Sequence, residues 1–173
     1  MAEEATLSIQ SAIDAMSAGE YTTARRLFRE LCQGANPRSQ IYRRATTYLR
    51  HLGESDDDPV FQLLLRLRQA SDAEERLSLI RQAREQNLEF GLDGRGLDEW
   101  QQEADQDLAA QADMKAQQLL LQAQASPRLD EAIELCRSAL QITGMSEEMA
   151  KAISAELSGL EKRRKAAHHY EEA

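Results

Sequence analysis

The sequence GEYTTARRLFRELCQGANP, residues 19–37, decides the fold of this chain. Its apolar residues recur every three to four positions, which is the period of an amphipathic helix. Gly19 allows a tight turn before this helix, and Pro37 ends the unit. Ala24 is small enough for two helices to approach closely, and Phe28, four residues on, fills the space beside it. The stretch therefore predicts the second helix of an antiparallel helical hairpin.

Four residues of this stretch follow the order G-x-Y-x-x-A-x-x-x-F, namely Gly19, Tyr21, Ala24 and Phe28. This order resembles the turn and second helix of a tetratricopeptide repeat, and the resemblance covers about one repeat of roughly 34 residues. It implies a short array of paired helices whose concave groove binds a peptide or a partner helix. The alternative is a helical hairpin of another kind that contains the same four residues.

The resemblance also implies groove positions on the third helix, near Arg43, Thr47 and Arg50. Arg43 and Arg50 are seven residues apart, which places them two turns apart on one helix face. Their guanidinium groups are suited to hold a carboxylate or an acidic peptide. The alternative is a solvated basic face, or one that pairs with the acidic middle of this chain.

The composition of the 173 residues favours helices throughout. Ala, Leu, Glu, Gln and Arg dominate, and no segment alternates in the manner of a strand between turn signals. We therefore expect an all-α fold of antiparallel helical hairpins, arranged as a TPR-like short solenoid or a helical bundle with about seven helices.

Turn and helix-breaking residues divide the chain into three parts, which we expect to form one continuous domain. Residues 1–53 hold the TPR-like hairpin and a third helix. Residues 54–97 hold an acidic helical pair and a glycine-containing loop, LEFGLDGRGL, whose Phe90 and Leu92 are expected to contact the core. Residues 98–173 hold a long helix, a TPR-like helix and a C-terminal capping helix. The TPR-like helix repeats the small-large-small spacing, although cysteine replaces the usual aromatic residue, at Ala132, Cys136 and Ala139.

Two details of the helices follow from local sequence. Asp58 before Pro59 predicts a helix start, with the carboxylate as N-cap and proline as the first helical residue. A calcium site at the adjacent aspartates is disfavoured, because a calcium loop needs alternating acids, a glycine and a distant glutamate. On the second helix, Arg25, Arg26 and Arg29 are expected to lie on the polar face.

The net charge of −9 is distributed unevenly. Residues 1–53 have seven arginines and five acidic residues, a net +2, whereas residues 54–113 have six arginines and sixteen acidic residues, a net −10. Residues 114–173 have eight basic and nine acidic residues, a net −1. Nucleic acids and anionic membranes attract proteins with excess positive charge, so we expect neither as a partner.

Residue types used in catalysis are sparse. Cys32 and Cys136 have no metal-ligand spacing or obvious base, and His51 lies near a helix end. The adjacent His168 and His169 point in different directions on a helix. No E-x-x-H, H-E-x-x-H or G-x-S-x-G motif occurs. We therefore expect no enzyme, cofactor or metal.

These observations predict a non-catalytic protein–protein interaction module, an adaptor or scaffold that binds a peptide or partner helix. Two cysteines without a secretory signal, and no run of about 18 apolar residues, lead us to expect a cytoplasmic protein. The alternative is a compact helical bundle without a peptide groove, acting as a regulatory domain or an oligomeric assembly subunit such as a homodimer. A ligand-binding bundle would instead require a deep pocket with convergent polar groups.

Overall fold

The computed structural model describes the backbone of residues 2–171 and the side chains of residues 9–169, and this part of the chain is helical without a named strand. The all-α prediction is confirmed, and the number of helices agrees with the expected count of about seven. The helices are α1 (Ala2–Ser17), α2 (Tyr21–Gly34), α3 (Gln40–Leu52), α4 (Pro59–Gln69), α5 (Ala73–Glu85), α6 (Leu97–Ala125), α7 (Leu129–Leu140) and α8 (Glu147–Glu171).

The turn between α1 and α2 depends on Gly19, whose φ of 87° lies in the left-handed region that glycine adopts without steric cost. Its amide donates to the carbonyl of Met16 at 3.0 Å, which helps to close the last turn of α1. Ala24 and Phe28 are fully buried, and α2 packs against both α1 and α3. The packing roles predicted for these residues are therefore present.

In the first half of the chain, α3, α4 and α5 each begin with a side-chain cap. Ser39 accepts a hydrogen bond from the amide of Tyr42 before α3, and Asp72 accepts one from the amide of Glu75 before α5. Asp58 accepts a hydrogen bond from the amide of Val60 at 2.9 Å, immediately before Pro59 starts α4. Each cap satisfies an amide that the helix itself leaves unpaired. The predicted start of α4 is therefore confirmed.

The connecting segment, residues 86–96 between α5 and α6, is ordered by its own backbone hydrogen bonds. The amide of Gly91 donates to the carbonyl of Arg95 at 2.9 Å, and the amide of Leu97 donates to the carbonyl of Glu89 at 3.1 Å. Leu92 is completely buried and Phe90 packs against the same core. The predicted contacts of this segment with the core are therefore confirmed.

The described residues divide into two compact units, and the division falls between Ala104 and Asp105, within α6. In the first unit, α2 packs against α1 and α3, while α4 packs against α3 and α5. The predicted parts 1–53 and 54–97 therefore contribute to one core. Its largest fully buried side chains are Met16, Phe28, Leu52, Phe61, Leu64, Leu67, Leu79, Ile80 and Leu92.

The second unit has a core of its own, formed by the later part of α6 with α7 and α8. Small side chains are frequent in this core, which lets helices approach closely. The three residues with the repeated spacing, Ala132, Cys136 and Ala139, are buried there. The other buried members are Ala116, Ala123, Ile133, Ile153 and Leu160.

Arg25 departs from the polar face predicted for α2. Arg26 and Arg29 are exposed as expected, but Arg25 is only 4% exposed. Its guanidinium donates from Nε to the carbonyl of Leu52 at 3.0 Å and from Nη1 to Asp56 at 2.6 Å. These partners lie far away in sequence, and they accept hydrogen bonds from two of the three guanidinium nitrogens.

Candidate functional site

The candidate site is a cleft of about 240 Å3 beside α3, called here the α3 cleft. One side is formed by residues of α3 and the other by two residues of the connecting segment. Its lining consists of Arg43, Arg44, Thr47, Tyr48, Glu89 and Phe90.

The structure brings together two of the three residues predicted to bind a partner. Arg43 and Thr47, one turn apart on α3, both line the α3 cleft. Arg50 instead lines a separate cleft of about 440 Å3 that also includes Arg29. Its Nη2 donates to the backbone carbonyl of Gln86 at 2.8 Å, at the end of α5. Arg50 therefore links α3 to the end of α5 and does not line the α3 cleft, where the second cation is Arg44.

The guanidinium groups of Arg43 and Arg44 are exposed and have no hydrogen bond or ion pair with the residues that the structure describes. Several other arginines of this unit are engaged internally. Arg29 donates to the carbonyl of Glu54, for example, and Arg68 donates to the hydroxyl of Tyr21 and the carbonyl of Ser17. Two adjacent cations in the α3 cleft are therefore available to an external anion.

Two aromatic residues, Tyr48 and Phe90, line the α3 cleft. Tyr48 stacks on Phe28 of the core with 4.8 Å between ring centroids and 7° between ring planes. Phe90 packs against Tyr48 at 4.9 Å with a tilt of 48°. Because Phe28 is fully buried, this row of rings connects the cleft to the core. The cleft thus combines an apolar aromatic surface with two cations, a combination that suits an amphipathic ligand.

The hydroxyl of Thr47, which lines the cleft, is already engaged in a hydrogen bond within α3. It donates its hydrogen to the carbonyl of Arg43 at 2.9 Å. Its oxygen can therefore act toward a ligand only as an acceptor. Charge recognition in the cleft thus depends on the guanidinium groups rather than on this hydroxyl.

His51 lies buried behind the α3 cleft and contacts residues that line it. The sequence alone predicted only that it lies near a helix end. It is 1% exposed, and its ring stacks on Phe90 with 3.8 Å between centroids and 6° between planes. Its Nδ1 lies 2.7 Å from the carbonyl of Thr47, and its Nε2 accepts a hydrogen bond from the amide of Glu89 at 3.0 Å. The available sequence signal was its spacing of three residues after Tyr48, which places both on the buried face of α3.

Burial lowers the pKa of His51. The positive charge of Arg50 acts in the same direction, while the hydrogen bond to Thr47 and the negative charge of Glu89 oppose it. The neutral imidazole is therefore the form that the folded protein favours near neutral pH. Since a carbonyl can only accept, Nδ1 carries the hydrogen, and Nε2 is free to accept from the amide of Glu89.

Two basic residues, Arg43 and Arg44, and one acidic residue, Glu89, line the α3 cleft, and neither cysteine is among its lining residues. Cys136 lies in the other unit, where burial, with the charge of Glu156, raises the pKa of its thiol. This environment suits a packing residue rather than a nucleophile. Among the described side chains, no three His, Cys, Asp or Glu residues are grouped as metal ligands.

None of the described helices combines the length and apolar character needed to cross a membrane. Comparisons with protein-family models, with curated protein sequences and with solved structures gave no match to this chain.

Proposed function

We propose that this chain is a non-catalytic protein–protein interaction module, an adaptor or scaffold, whose α3 cleft binds an acidic peptide segment of another protein. The observation behind the proposal is the pair of exposed cations, Arg43 and Arg44, beside the aromatic surface of Tyr48 and Phe90. Guanidinium groups bind carboxylates by paired, charge-assisted hydrogen bonds. The rings offer contact area to an apolar side chain next to the acidic residues of the ligand.

The charge distribution favours a short acidic peptide over a longer polyanion. Residues 1–53 are net positive, whereas the whole chain is at −9. A nucleic acid extends across many charges and would meet the acidic part of the protein as well as the cleft. A peptide of a few residues needs only the local positive charge of Arg43 and Arg44.

The resemblance of residues 19–37 to a tetratricopeptide repeat supports the same class of function, since such repeats are interaction modules. In the proposed arrangement α3 contributes the peptide-binding face and α2 holds it in place through the Phe28–Tyr48 stack. The free thiols Cys32 and Cys136 are compatible with a cytoplasmic site of action.

The proposal is tested with an array of synthetic peptides in which acidic residues flank one aromatic or aliphatic residue. We expect the wild-type chain to bind a subset of these peptides, and the Arg43→Glu, Arg44→Glu variant to lose at least tenfold in affinity, because each charge-assisted contact is worth about 1.5–3 kcal/mol. Fluorescence anisotropy with the best peptide measures this loss.

The matched control is the Arg38→Glu, Arg81→Glu variant. Both arginines are exposed in the same unit, and neither guanidinium has a described hydrogen bond or ion pair. Two Arg→Glu changes also alter the net charge by the same amount as in the test variant. We expect its affinity to stay within about twofold of wild type, since exposed charges outside the site contribute little. Equal losses in both variants would show a general charge effect, and binding of no acidic peptide would overturn the proposal.

A second candidate function, as an oligomeric assembly subunit, is favoured by two exposed apolar side chains on α6. Met114 is 61% exposed and Leu121 is 56% exposed. They are seven residues apart, which places them on one face of the helix. Between residues 108 and 125 the only charged residues are Asp113 and Lys115, which balance each other. A second copy of this acidic chain would meet little repulsion at such a face, so a homodimer is the assembly that we consider.

A further inference from the structure

The two sides of the α3 cleft come from parts of the chain that are distant in sequence, so their spacing depends on contacts between them. Arg43, Arg44, Thr47 and Tyr48 belong to α3. Glu89 and Phe90 belong to the connecting segment. The two sides are joined by the Tyr48–Phe90 ring contact and by the buried His51.

His51 contacts both sides of the cleft at once. Its Nδ1 donates to the carbonyl of Thr47, on the α3 side, at 2.7 Å. Its Nε2 accepts from the amide of Glu89, on the opposite side, at 3.0 Å. Its ring also covers Phe90 in a nearly parallel stack. His51 itself does not line the cleft, so its action on a ligand is indirect.

We propose that His51 is the positioning residue that holds Glu89 and Phe90 against α3, and that proton uptake by its imidazole opens the cleft and weakens binding of the acidic peptide. This inference rests on the proposed function of the cleft. A protonated imidazole has a hydrogen on both nitrogens, so Nε2 can no longer accept from the amide of Glu89. Two N–H groups then face each other, and the connecting segment loses its hydrogen bond to α3.

The charges around His51 come from three elements. The connecting segment contributes Glu89, and α3 contributes Arg50. From α2, Arg25 approaches the neighbouring carbonyl of Leu52 and is paired with Asp56. Burial is the largest influence on His51 and favours the neutral form. Proton uptake by His51 is therefore coupled to loss of its buried position and of its hydrogen bond to the amide of Glu89.

The experiment measures the affinity of the best acidic peptide from the array at pH values from about 7.5 down to about 5.5, a range in which free acidic side chains stay ionised. We expect the wild-type affinity to fall by up to about tenfold, the loss that corresponds to one hydrogen bond. Most of this fall should occur at the lower end of the range, because burial lowers the pKa of His51. The His51→Gln variant has no imidazole but retains one donor and one acceptor, so we expect its affinity to change less than twofold over the same range. Equal pH dependence in both proteins would overturn the proposal.

A second measurement does not require the peptide. In an NMR titration of the wild-type chain, the nitrogen signals of His51 are expected to show a hydrogen on Nδ1 near neutral pH. The amide signal of Glu89 is expected to shift with the same midpoint as the imidazole, and its protection from hydrogen exchange to fall with protonation. A Glu89 amide that does not respond to His51 would contradict the proposal. If no acidic peptide binds at any pH, the proposed function fails, whereas this titration still decides whether His51 holds the connecting segment.

Discussion

Nε of Arg25 donates a hydrogen bond of 3.0 Å to the carbonyl of Leu52, so a charged side chain of α2 closes the last turn of α3. The last carbonyls of a helix lack partners within it and form the negative end of its dipole, which favours a cation there. The guanidinium also lies 4.5 Å from the ring centre of Phe61 and pairs with Asp56. Three separate parts of the chain are therefore fixed by one side chain.

Replacing Arg25 with methionine should destabilise the first unit. Methionine preserves the length of the buried stem but removes the hydrogen bonds to Leu52 and Asp56. We expect the free energy of unfolding to fall by about 1–3 kcal/mol, measured by urea denaturation. The loss stays below that of a fully buried ion pair because the Asp56 side chain is 70% exposed and becomes hydrated.

The control is Arg26→Met, one residue further along α2. Arg26 is exposed and forms an i,i+4 ion pair with Glu30 at 2.9 Å. Such a pair contributes only about 0.3–0.5 kcal/mol, so the urea midpoint should hardly move. If Arg26→Met destabilised the protein as much as Arg25→Met, the burial of Arg25 would not be the cause.

Stability should decrease on acidification through His51. The unfolded chain binds a proton near the ordinary histidine pKa of about 6.5, whereas burial lowers the pKa of His51 in the folded protein. Between these two values the unfolded state binds more protons, so the free energy of unfolding falls as the pH decreases. One group contributes a slope of at most about 1.4 kcal/mol per pH unit. Urea denaturation at successive pH values measures it.

The His51→Gln variant removes this titration. We expect its free energy of unfolding to vary less than that of the wild type between about pH 7 and pH 5.5, the range in which an unshifted histidine titrates. It should be less stable than the wild type near neutral pH, since the stack on Phe90 is lost. Parallel curves for the two proteins would show that another group is responsible.

Alanine at Gly91 should disturb the connecting segment. A Cβ atom there would lie 2.8 Å from Nε1 of Trp100 and 3.1 Å from a carboxylate oxygen of Asp93, which accepts the hydrogen bond of that same nitrogen. We expect a loss of about 1–3 kcal/mol, because the packed site must shift to admit the methyl group. Trp100 is the only tryptophan of the chain, so its emission reports this change.

Alanine at Gly159 is the matched control. This glycine lies inside α8, and a Cβ atom there would meet no other atom within 4 Å. Alanine should therefore stabilise the helix by about 0.5–1 kcal/mol. A neutral or stabilising effect of Gly91→Ala would contradict the tight packing around Trp100.

Local sequence was sufficient wherever the determining contacts are local. The cap at Asp58 with Pro59, and the turn at Gly19, involve residues within four positions, so their patterns predicted the structure. The burial of Arg25 and the role of His51 were not predicted, because their determining contacts are not local. Helical periodicity assigns a charged residue to the polar face of its helix. The partners that allow burial lie much further away: Leu52 is 27 residues from Arg25, and Glu89 is 38 residues from His51.

The candidate site was predictable on one side only. The groove positions implied by the repeat resemblance included Arg43 and Thr47, and both line the cleft. They also included Arg50, because no local pattern reveals the carbonyl of Gln86 that it binds. The opposite side of the cleft, which includes Phe90, depends on where the connecting segment lies against α3. That placement is a tertiary contact, which no local pattern predicts. On the α3 side, Arg44 was missed because the groove positions implied by the repeat resemblance did not include it.

The exposed apolar pair on α6 leads to the last prediction, that replacing Met114 and Leu121 with glutamine weakens self-association. Both side chains lie mostly in solvent in the single chain, and covering each in a homodimer would contribute about 1–2 kcal/mol. We therefore expect the dissociation constant to rise at least tenfold in the double variant, measured by sedimentation velocity over a range of concentrations. Glutamine keeps the net charge and the helix propensity, so helicity should not change.

The control for this variant is Gln102→Ala with Gln106→Ala, which changes two exposed residues of the same helix without removing apolar surface. Its dissociation constant should equal that of the wild type. A chain that stays monomeric at every concentration would rule out the homodimer and leave the α3 cleft as the remaining candidate for partner binding. A dimer that both variants weaken equally would place the interface elsewhere, because loss of the Met114 and Leu121 side chains would then have no specific effect.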